Sequence, residues 1–343
     1  MTDAPLRGVL IGAGTFAAFH IDAWNRIPDA RIAAICDVDP IRADDLAQRH
    51  GLTARFTDWR EMIAAQEPDF VDIVSPPEAH AAQVRHAAAR RAHVICQRPL
   101  TPTAAETAAL VDHMATQTVR LMVHENWRWQ PWYRTAHELL AAGTLGEPST
   151  LMFRMRTGEG WGADAYTDLD PQARREPRLL LSQVGVHFVQ AFSLLLGQVT
   201  SVYARTHRNN PVVRGEDAAV VVLGFDDGAT AVLDASRYNE STAADPLLTF
   251  GTMRLDGTKG HLLLEADGTL TLHPLGGIPQ PVDYEVPDIG FAGDSVYATQ
   301  RHFITSLRSG LPFDSEPEDH LRCVGIIEAA YASAASGNAI ALP

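Results

Sequence analysis

The sequence is short of cysteine, of lysine and of long apolar stretches, and each shortage excludes a class of protein. Its three cysteines, Cys36, Cys96 and Cys323, are far apart and form no CxxC pair, which argues against a disulfide framework. No run of about 18 apolar residues occurs, and no basic segment followed by an apolar one opens the chain. We therefore expect a soluble cytoplasmic protein that does not bind membranes.

Positive charge and clustered metal ligands are scarce as well. The 28 basic residues are outnumbered by 42 acidic ones, and the net charge of −14 would repel a phosphate backbone, so we expect no nucleic-acid partner. The 14 histidines are scattered, without an HExxH motif or a Cys/His set at ligand spacing, so we expect no metal site. Lys259 is the only lysine, so arginine supplies almost all of the positive charge.

The length of the chain and the pattern of its first part predict a nucleotide-binding fold. At 343 residues the chain exceeds the roughly 250 to 300 residues that one core supports, so two domains are expected. Residues 1–125 alternate short β-branched runs with longer segments of helical period, which is typical of a doubly wound parallel sheet of Rossmann type. The predicted strands are Gly8 to Ile11, Arg31 to Cys36, Phe70 to Val74, His93 to Cys96 and Arg120 to Val123.

Residues 126–343 follow another pattern and are predicted to form an α+β domain with a large open antiparallel sheet. Long alternating strands are separated by turns such as Asp226-Asp227-Gly228. Helices at Gln183 to Leu196, Ser295 to Ser309 and Glu316 to Ala335 are expected to cover one face of this sheet, which leaves the other face for a partner subunit. The predicted strands are Thr150 to Arg156, Thr200 to Thr206, Asp217 to Phe225, Thr230 to Arg237, Thr249 to Asp256 and His261 to Glu265.

A glycine turn follows the first predicted strand and opens the first helix. Gly12 permits the tight turn, Gly14 lets the backbone approach a pyrophosphate, and Ala17 keeps the helix close to the strand. In this strand–turn–helix context, the match to GxGxxA predicts a dinucleotide site. Thr15 and Phe16 lie within the same turn.

An acidic residue at the end of the second strand supports the same site. Asp37 follows the glycine turn by about 20 residues, where a carboxylate accepts hydrogen bonds from the adenosine ribose and repels a 2′-phosphate. This favours NAD over NADP, although nearby Arg42 leaves room for NADP. The alternative is that the glycines only pack helix against strand and that Asp37 is a solvated turn residue.

The sequence resembles the glucose-fructose oxidoreductase and inositol dehydrogenase (Gfo/Idh/MocA) family along essentially its whole length. The resemblance implies an NAD(P)-dependent enzyme that oxidises a sugar or cyclitol hydroxyl, or reduces the ketone, and that forms a homodimer or homotetramer. It also implies that Ser75, Pro76 and His80 line the cofactor and that Asn126 lies near the nicotinamide ribose. The matching segments, in order, are GAGTFA at 12–17, ICDVDPIRADDLA at 35–47, DIVSPPEAH at 72–80, VICQRPL at 94–100, ENWRWQPWY at 125–133, VGVHFVQ at 184–190 and GNAIALP at 337–343.

Two positions depart from the family pattern, and both affect the chemistry. The family's Glu-Lys-Pro, whose lysine touches the cofactor and the reacting hydroxyl, is Gln97-Arg98-Pro99 here. The family often has an acidic residue four positions before its histidine. In this chain that position is Gln183, and the histidine is His187. Arginine stays protonated at neutral pH, so Arg98 cannot accept the hydroxyl proton.

These departures leave His187 as the candidate acid/base, since the pKa of histidine is near neutrality. The hypothesis is that His187 exchanges the proton, Arg98 stabilises negative charge on the substrate oxygen, and Gln183 positions one or both. The alternatives are that His187 is a packing residue and that Arg98 forms a structural ion pair.

Aromatic and arginine side chains are candidates for the substrate pocket. Trp127 belongs to a dense tryptophan cluster, and Trp161 lies in the loop Gly158-Glu159-Gly160-Trp161-Gly162, where aromatic faces would suit sugar rings. Arg156 and Tyr166 are further candidates. Packing is the alternative for the tryptophans, and the long loop from Thr157 to Glu176 is typical of a lid.

Two other functions remain open. One is an enzyme that retains its NAD and returns the hydride within one cycle, giving net epimerisation, elimination or hydrolysis. The other is an NAD-binding protein that has lost catalysis, which Arg98 and Gln183 motivate.

Overall fold

The computed structural model describes residues 4–167 and 172–342 of the chain, which forms two compact units, each with its own sheet. Unit 1 comprises Met1–Trp129 and Ile289–Arg322, and unit 2 comprises Gln130–Asp288 and Cys323–Pro343. The domain division after residue 125 stays a prediction, since compactness alone does not show where a domain folds. Residues 168–171 of the predicted lid and the last residue of the 337–343 segment lie outside the described residues.

Unit 1 contains a six-stranded parallel sheet with the strand order β3-β2-β1-β4-β5-β6, which confirms the predicted Rossmann-type fold. The five predicted strands are present. The short strand β3 and the helix that follows it were not predicted. The strands are β1 Leu6–Ile11, β2 Ala30–Cys36, β3 Ala54–Phe56, β4 Phe70–Ile73, β5 His93–Gln97 and β6 Leu121–His124, and the helices between them are α1 Ala17–Arg26, α2 Pro40–Arg49, α3 Trp59–Gln66, α4 Pro77–Ala89 and α5 Ala104–Met114.

Side-chain caps fix where three of these helices begin. The carboxylates of Asp39 and Asp58 accept the backbone N–H of Ile41 and Arg60 at the starts of α2 and α3. Thr103 opens α5 with a capping box that Glu106 completes. The helices pack on strands whose side chains are buried on both faces, as β4 illustrates.

The predicted placement of the helix at Ser295 to Ser309 was wrong. This helix, α8 (Ser295–Ser309), packs in unit 1 and not on the antiparallel sheet. Phe303 lies 5.6 Å from Phe70 and 6.4 Å from Trp24 between ring centroids, within the core beneath α1. An amphipathic pattern shows that a helix has a partner but not which sheet the partner is.

Unit 2 contains a nine-stranded mixed sheet with the order β14-β13-β12-β11-β7-β10-β9-β8-β15. Neighbouring strands are antiparallel except for the parallel pair β7 and β10, so the α+β prediction is confirmed. The elements are α6 Pro131–Ala141, β7 Pro148–Arg156, a π-helical turn at Leu181–Gly185, α7 Val186–Leu196, β8 Val199–His207, β9 Ala218–Phe225, β10 Thr230–Ser236, β11 Gly251–Gly257, β12 Gly260–Leu264, β13 Leu270–Pro274, β14 Gln280–Pro281, α9 Pro317–Ser336 and β15 Ile340–Ala341.

One face of this sheet is covered by α7 and by the part of α9 within unit 2. Phe188 of α7 packs against Phe153 of β7, and Ile327 of α9 lines the same apolar layer. On strands β7 and β9, Met152 and Val220 are 52% and 37% exposed. Within the part of the chain that the structure describes, no helix has the length and apolar character needed to span a bilayer.

Candidate functional site

The two glycines of the turn after β1 meet different surroundings. Gly12 has a φ of +105°, and a Cβ there would lie 2.7 Å from the carbonyl carbon of Val74, so the protein's own backbone requires this glycine. A Cβ on Gly14 would meet nothing within 4 Å. Ala17 is fully buried in the core against the sheet. Packing therefore explains Gly12 and Ala17, whereas the space beside Gly14 is open to a ligand.

The first turn of α1 suits an anion. Phe16 holds the N-cap position without any side-chain cap, and no acidic residue lies in the first turn. The N-terminal N–H groups and the dipole of such a helix favour a phosphate. This turn follows directly from Gly14 and the exposed Thr15, so the residues fit a dinucleotide diphosphate.

The carboxylate of Asp37 is fixed beside the glycine turn. Its Oδ2 accepts the N–H of Ala13 at 2.7 Å, and its Oδ1 accepts the N–H of Asp39 at 2.9 Å. Asp37 is half-buried at the carboxyl end of β2, where a ribose would be held. Arg42 is 64% exposed, and its guanidinium lies 3.4 Å from the carboxylate of Asp39.

The loop after β4 is braced by His80. The ring nitrogens of this buried histidine lie 2.6 Å from the Ser75 carbonyl oxygen and 3.0 Å from the Pro99 carbonyl oxygen. Ser75 donates its hydroxyl to Gln83 of α4 at 2.6 Å, and Pro76 is the N-cap residue of that helix. The structure thus places Ser75, Pro76 and His80 together. His80 faces protein backbone on both ring nitrogens, so it joins the loops that follow β4 and β5.

Acidification is expected to destabilise unit 1 partly through His80. Burial lowers the pKa of His80, against the opposing effect of the Ser75 and Pro99 carbonyls. Below the unfolded pKa of about 6.5, the unfolded chain binds more protons than the folded one, so the free energy of unfolding falls until pH reaches the lowered folded pKa. Thermal unfolding of wild type and His80→Asn at about pH 8 and about pH 5.5 should show a smaller loss of Tm in the variant. Equal losses would remove His80 from this effect.

Gln97 is the last residue of β5, and its side-chain amide is held by hydrogen bonding. Gln97 Oε1 accepts the backbone N–H of Arg98 at 2.8 Å, and Gln97 Nε2 lies 3.5 Å from His20 Nε2. Asn126, predicted to lie near the nicotinamide ribose, is buried and donates to the Ser295 hydroxyl at 2.9 Å. Trp127 is also buried, as a packing residue would be. Their contacts with cofactor or substrate stay predictions.

In unit 2, Gln183 and His187 lie on successive helical segments. Gln183 is in the π-helical turn that runs into α7, and His187, 4% exposed, is the second residue of α7. Gln183 Oε1 accepts from the guanidinium of Arg237 at 2.7 Å, and Arg237 also pairs with Glu159 at 2.9 Å. Through this oxygen Gln183 holds Arg237, and the predicted positioning of His187 by Gln183 stays a prediction.

The other substrate candidates have three different environments. Arg156 directs its guanidinium to the neighbouring strand β10, where it contacts the Asp234 carboxylate at 2.7 Å. Trp161 is 60% exposed. Tyr166 is buried beneath Arg237, whose Cζ lies 5.6 Å from the ring centroid, and burial raises its pKa to about 12, so the phenol is neutral. Only Tyr166 thus joins the group formed by Gln183, Arg237 and Glu159.

Several polar side chains near the predicted residues were not predicted. Arg237 and Glu159 carry no sequence signal, because their pairing joins distant segments. Asp72 did carry one: it is a charged residue within an apolar strand expected to be buried on both faces, so it requires a partner. That partner is His20 of α1. Among the residues described, no group of three or more His, Cys, Asp or Glu could hold a metal ion.

Comparison with known proteins identifies the family. The family model described as "Oxidoreductase family, NAD-binding Rossmann fold" matches residues 6–125, and the GFO/IDH/MocA C-terminal domain matches residues 133–263. The chain is 32% identical to a D-apiose dehydrogenase of Rhizobium rhizogenes, over 99% of this chain and 98% of that one. It is 33% identical to a D-apiose dehydrogenase of Paraburkholderia graminis, over 98% and 89% of the two chains.

A solved structure is similar along the whole chain as well. The crystal structure of an oxidoreductase from Agrobacterium radiobacter in complex with NAD+, L-tartaric acid and magnesium has a TM-score of 0.90 and 32% identity, and the match covers 99% of this chain and 98% of that one. Identity above 30% along nearly the full length of both chains, together with both domain matches, establishes the family. The chain belongs to the Gfo/Idh/MocA family and is an NAD(P)-dependent oxidoreductase acting on CH–OH groups.

Proposed function

We propose that this protein is an NAD-dependent dehydrogenase that oxidises a hydroxyl of a small sugar, with D-apiose as the first candidate. Two relatives that share about a third of their residues with this chain are D-apiose dehydrogenases. The observation that carries the proposal is the Asp37 carboxylate, fixed 2.7 Å from the backbone of the glycine turn. A carboxylate there accepts ribose hydroxyls and opposes a 2′-phosphate, which favours NAD over NADP.

The turn and the helix it opens would hold the diphosphate. Gly14 offers open space, and the first turn of α1 has no side-chain cap. Ser75, Pro76 and the Gln97-Arg98 segment follow β4 and β5, whose carboxyl ends lie at the same edge of the parallel sheet as that of β1. Ligands of such sheets bind at this edge.

Oxidation of the substrate hydroxyl separates a hydride from a proton. Bound NAD supplies the acceptor for the hydride. In the proposed roles, His187 would accept the hydroxyl proton, and the guanidinium of Arg98 would stabilise the negative charge that develops on the substrate oxygen. Gln183, whose side-chain oxygen accepts from the Arg237 guanidinium at 2.7 Å, would position His187, Arg98 or both. The products are a carbonyl compound, NADH and a proton.

Formation of NADH by the purified protein tests this function. D-apiose, D-xylose, L-tartrate and myo-inositol are offered with NAD and, separately, with NADP. The proposal expects NADH production with at least one sugar and faster turnover with NAD than with NADP. NAD binding without turnover on the whole panel would indicate a binding protein that has lost catalysis. Nicotinamide that co-purifies and does not exchange would indicate an enzyme that retains its cofactor.

The glycine pair provides a matched test of the diphosphate site. Gly14→Ala adds a methyl group that meets no protein atom, so we expect an unchanged Tm and a loss of NAD affinity of about 10-fold or more, because the backbone can no longer approach the diphosphate. Gly12→Ala puts a Cβ 2.7 Å from Val74 at a φ of +105°, so it should cost about 1–3 kcal/mol of stability. Calorimetric titration with NAD and thermal unfolding separate the two effects. Wild-type affinity in Gly14→Ala would place the diphosphate elsewhere.

We further propose that the protein is a cytoplasmic homodimer or homotetramer, with the domain boundary near residue 125. The partly exposed apolar side chains of Met152 and Val220 lie on the unit 2 sheet and support an association through that sheet. Light scattering of the purified protein tests the oligomeric state. A Met152→Glu variant should shift it toward the monomer.

A further inference from the structure

A carboxylate, an imidazole and an indole meet in the interior of unit 1. His20 Nδ1 lies 2.8 Å from Asp72 Oδ2, and Trp24 donates its indole N–H to the same oxygen at 2.6 Å. His20 and Asp72 are fully buried and Trp24 nearly so. A carboxylate buried in the middle of a sheet is costly unless it is hydrogen-bonded, and an apolar residue would fill β4 at no such cost. The cluster therefore calls for a role beyond filling the core.

The hydrogen-bond donors and acceptors of this cluster can be assigned from Gln97. The backbone N–H of Arg98 requires an acceptor, so the Gln97 atom 2.8 Å away is the amide oxygen. The amide nitrogen of Gln97 then faces His20 Nε2 at 3.5 Å. Since an amide NH₂ only donates, His20 Nε2 accepts, and its proton is on Nδ1, where it is donated to Asp72.

The chain of contacts thus runs from a buried carboxylate to the segment that replaces the family's Glu-Lys-Pro. At 3.5 Å the contact between His20 and Gln97 is at the long limit of a hydrogen bond, so it contributes little to the stability of the fold. Its effect would be on the direction in which the Gln97 amide points. The ring of His20 is held in place by His124, whose ring centroid is 4.1 Å away with a tilt of 33°. Gln97 in turn fixes the backbone of Arg98.

We propose that His20, locked by Asp72 as the Nδ1–H tautomer, is a positioning residue that orients Gln97 and, through it, Arg98 for hydride transfer. This inference rests on the proposed function, because it assigns His20 to the segment that would contact the substrate oxygen. The arrangement is preorganised by protein groups, because Asp72 holds the ring of His20 and the backbone N–H of Arg98 holds the amide of Gln97.

Two substitutions at His20 separate positioning from packing. Asn places an amide near the Nδ1 position, so His20→Asn keeps a donor for Asp72 and loses the acceptor for Gln97. Gln reaches the Nε2 position, so His20→Gln keeps an oxygen that accepts from Gln97 and loses the donor for Asp72. Both remove the ring beside His124, and His20→Gln also removes a donor from the buried Asp72 carboxylate, so it should lose more stability than His20→Asn, and Tm is measured for both.

The proposal expects kcat to fall when the contact between residue 20 and Gln97 is lost and to be largely kept when an acceptor for Gln97 remains. His20→Asn should lower kcat about 10- to 100-fold, the cost of a misplaced reacting group, while its NAD affinity stays within about 3-fold of wild type. His20→Gln should recover most of kcat. Trp24→Phe, which weakens only the Asp72 end, should lower Tm and leave kcat within about 3-fold of wild type. Equal losses of kcat in the two His20 variants, or none in either, would overturn the proposal.

A measurement on the protein without substrate tests the tautomer directly. In ¹⁵N-histidine-labelled protein, the His20 resonances, identified by their loss in His20→Asn, should report a protonated Nδ1 and an unprotonated Nε2. A protonated Nε2 would overturn the proposal even if the sugar panel gave no activity. Wild-type turnover together with the wrong tautomer would contradict the positioning role and leave the proposed function intact.

Discussion

Asp37→Ser is expected to lower the affinity for NAD far more than the affinity for NADP. The carboxylate would accept hydrogen bonds from the ribose, and hydrogen bonds to a charged group contribute about 1.5–3 kcal/mol, or roughly 10- to 150-fold in Kd. Removing it also removes the repulsion of a 2′-phosphate, which Arg42 would then attract. The Kd values for both cofactors, measured by calorimetry, give the change in preference.

Asp39→Ser is the matched control for this prediction. It removes a carboxylate two residues away, but serine still caps α2 by accepting the N–H of Ile41 in place of the carboxylate. Since Asp37 also accepts the N–H of Ala13, the Tm of each variant shows how much of the loss comes from a disturbed glycine turn. An unchanged preference in Asp37→Ser, or an equal change in Asp39→Ser, would show that Asp37 does not select the cofactor.

Much of the fold could be predicted because its determinants are local. β-Branched runs and helical periods placed the strands of unit 1, and the turn Asp226-Asp227-Gly228 marked the hairpin between β9 and β10. The short strand β3 has only three residues, too few to show a period. The parallel pairing of β7 and β10 and the position of α8 depend on contacts between distant segments, which no local pattern encodes.

The residues of the candidate site also divide into those that a local motif names and those that depend on contacts between distant segments. Gly12, Gly14 and Asp37 lie at fixed offsets from a strand end, so a local motif is enough to name them as candidates. Arg237 bonds Gln183 from 54 residues away, and Asp72 bonds His20 from 52 residues away, so neither partner could be named from spacing. The charge of Asp72 inside an apolar strand nevertheless indicates that it has a hydrogen-bonding partner.

His187→Ala is expected to have the largest effect on turnover. If His187 takes the hydroxyl proton, its removal should lower kcat about 10²- to 10⁴-fold, the usual contribution of general acid–base catalysis, with little change in NAD affinity. Arg98→Lys restores the family's residue and a group that can lose its proton, so it should retain or raise kcat, and it should partly compensate in the double variant with His187→Ala. Steady-state rates and NAD titrations of the three variants measure both effects.

His187→Ala and His187→Asn together discriminate between a packing role and a catalytic role of His187. His187 is nearly buried on α7, so a packing role would lower Tm in His187→Ala without a specific loss of kcat, and His187→Asn, which preserves more volume, would then restore both. A catalytic role predicts that His187→Asn recovers Tm but not kcat, because an amide does not titrate near neutral pH. Recovery of kcat in His187→Asn would assign the proton to another group and leave Arg98 to stabilise charge alone.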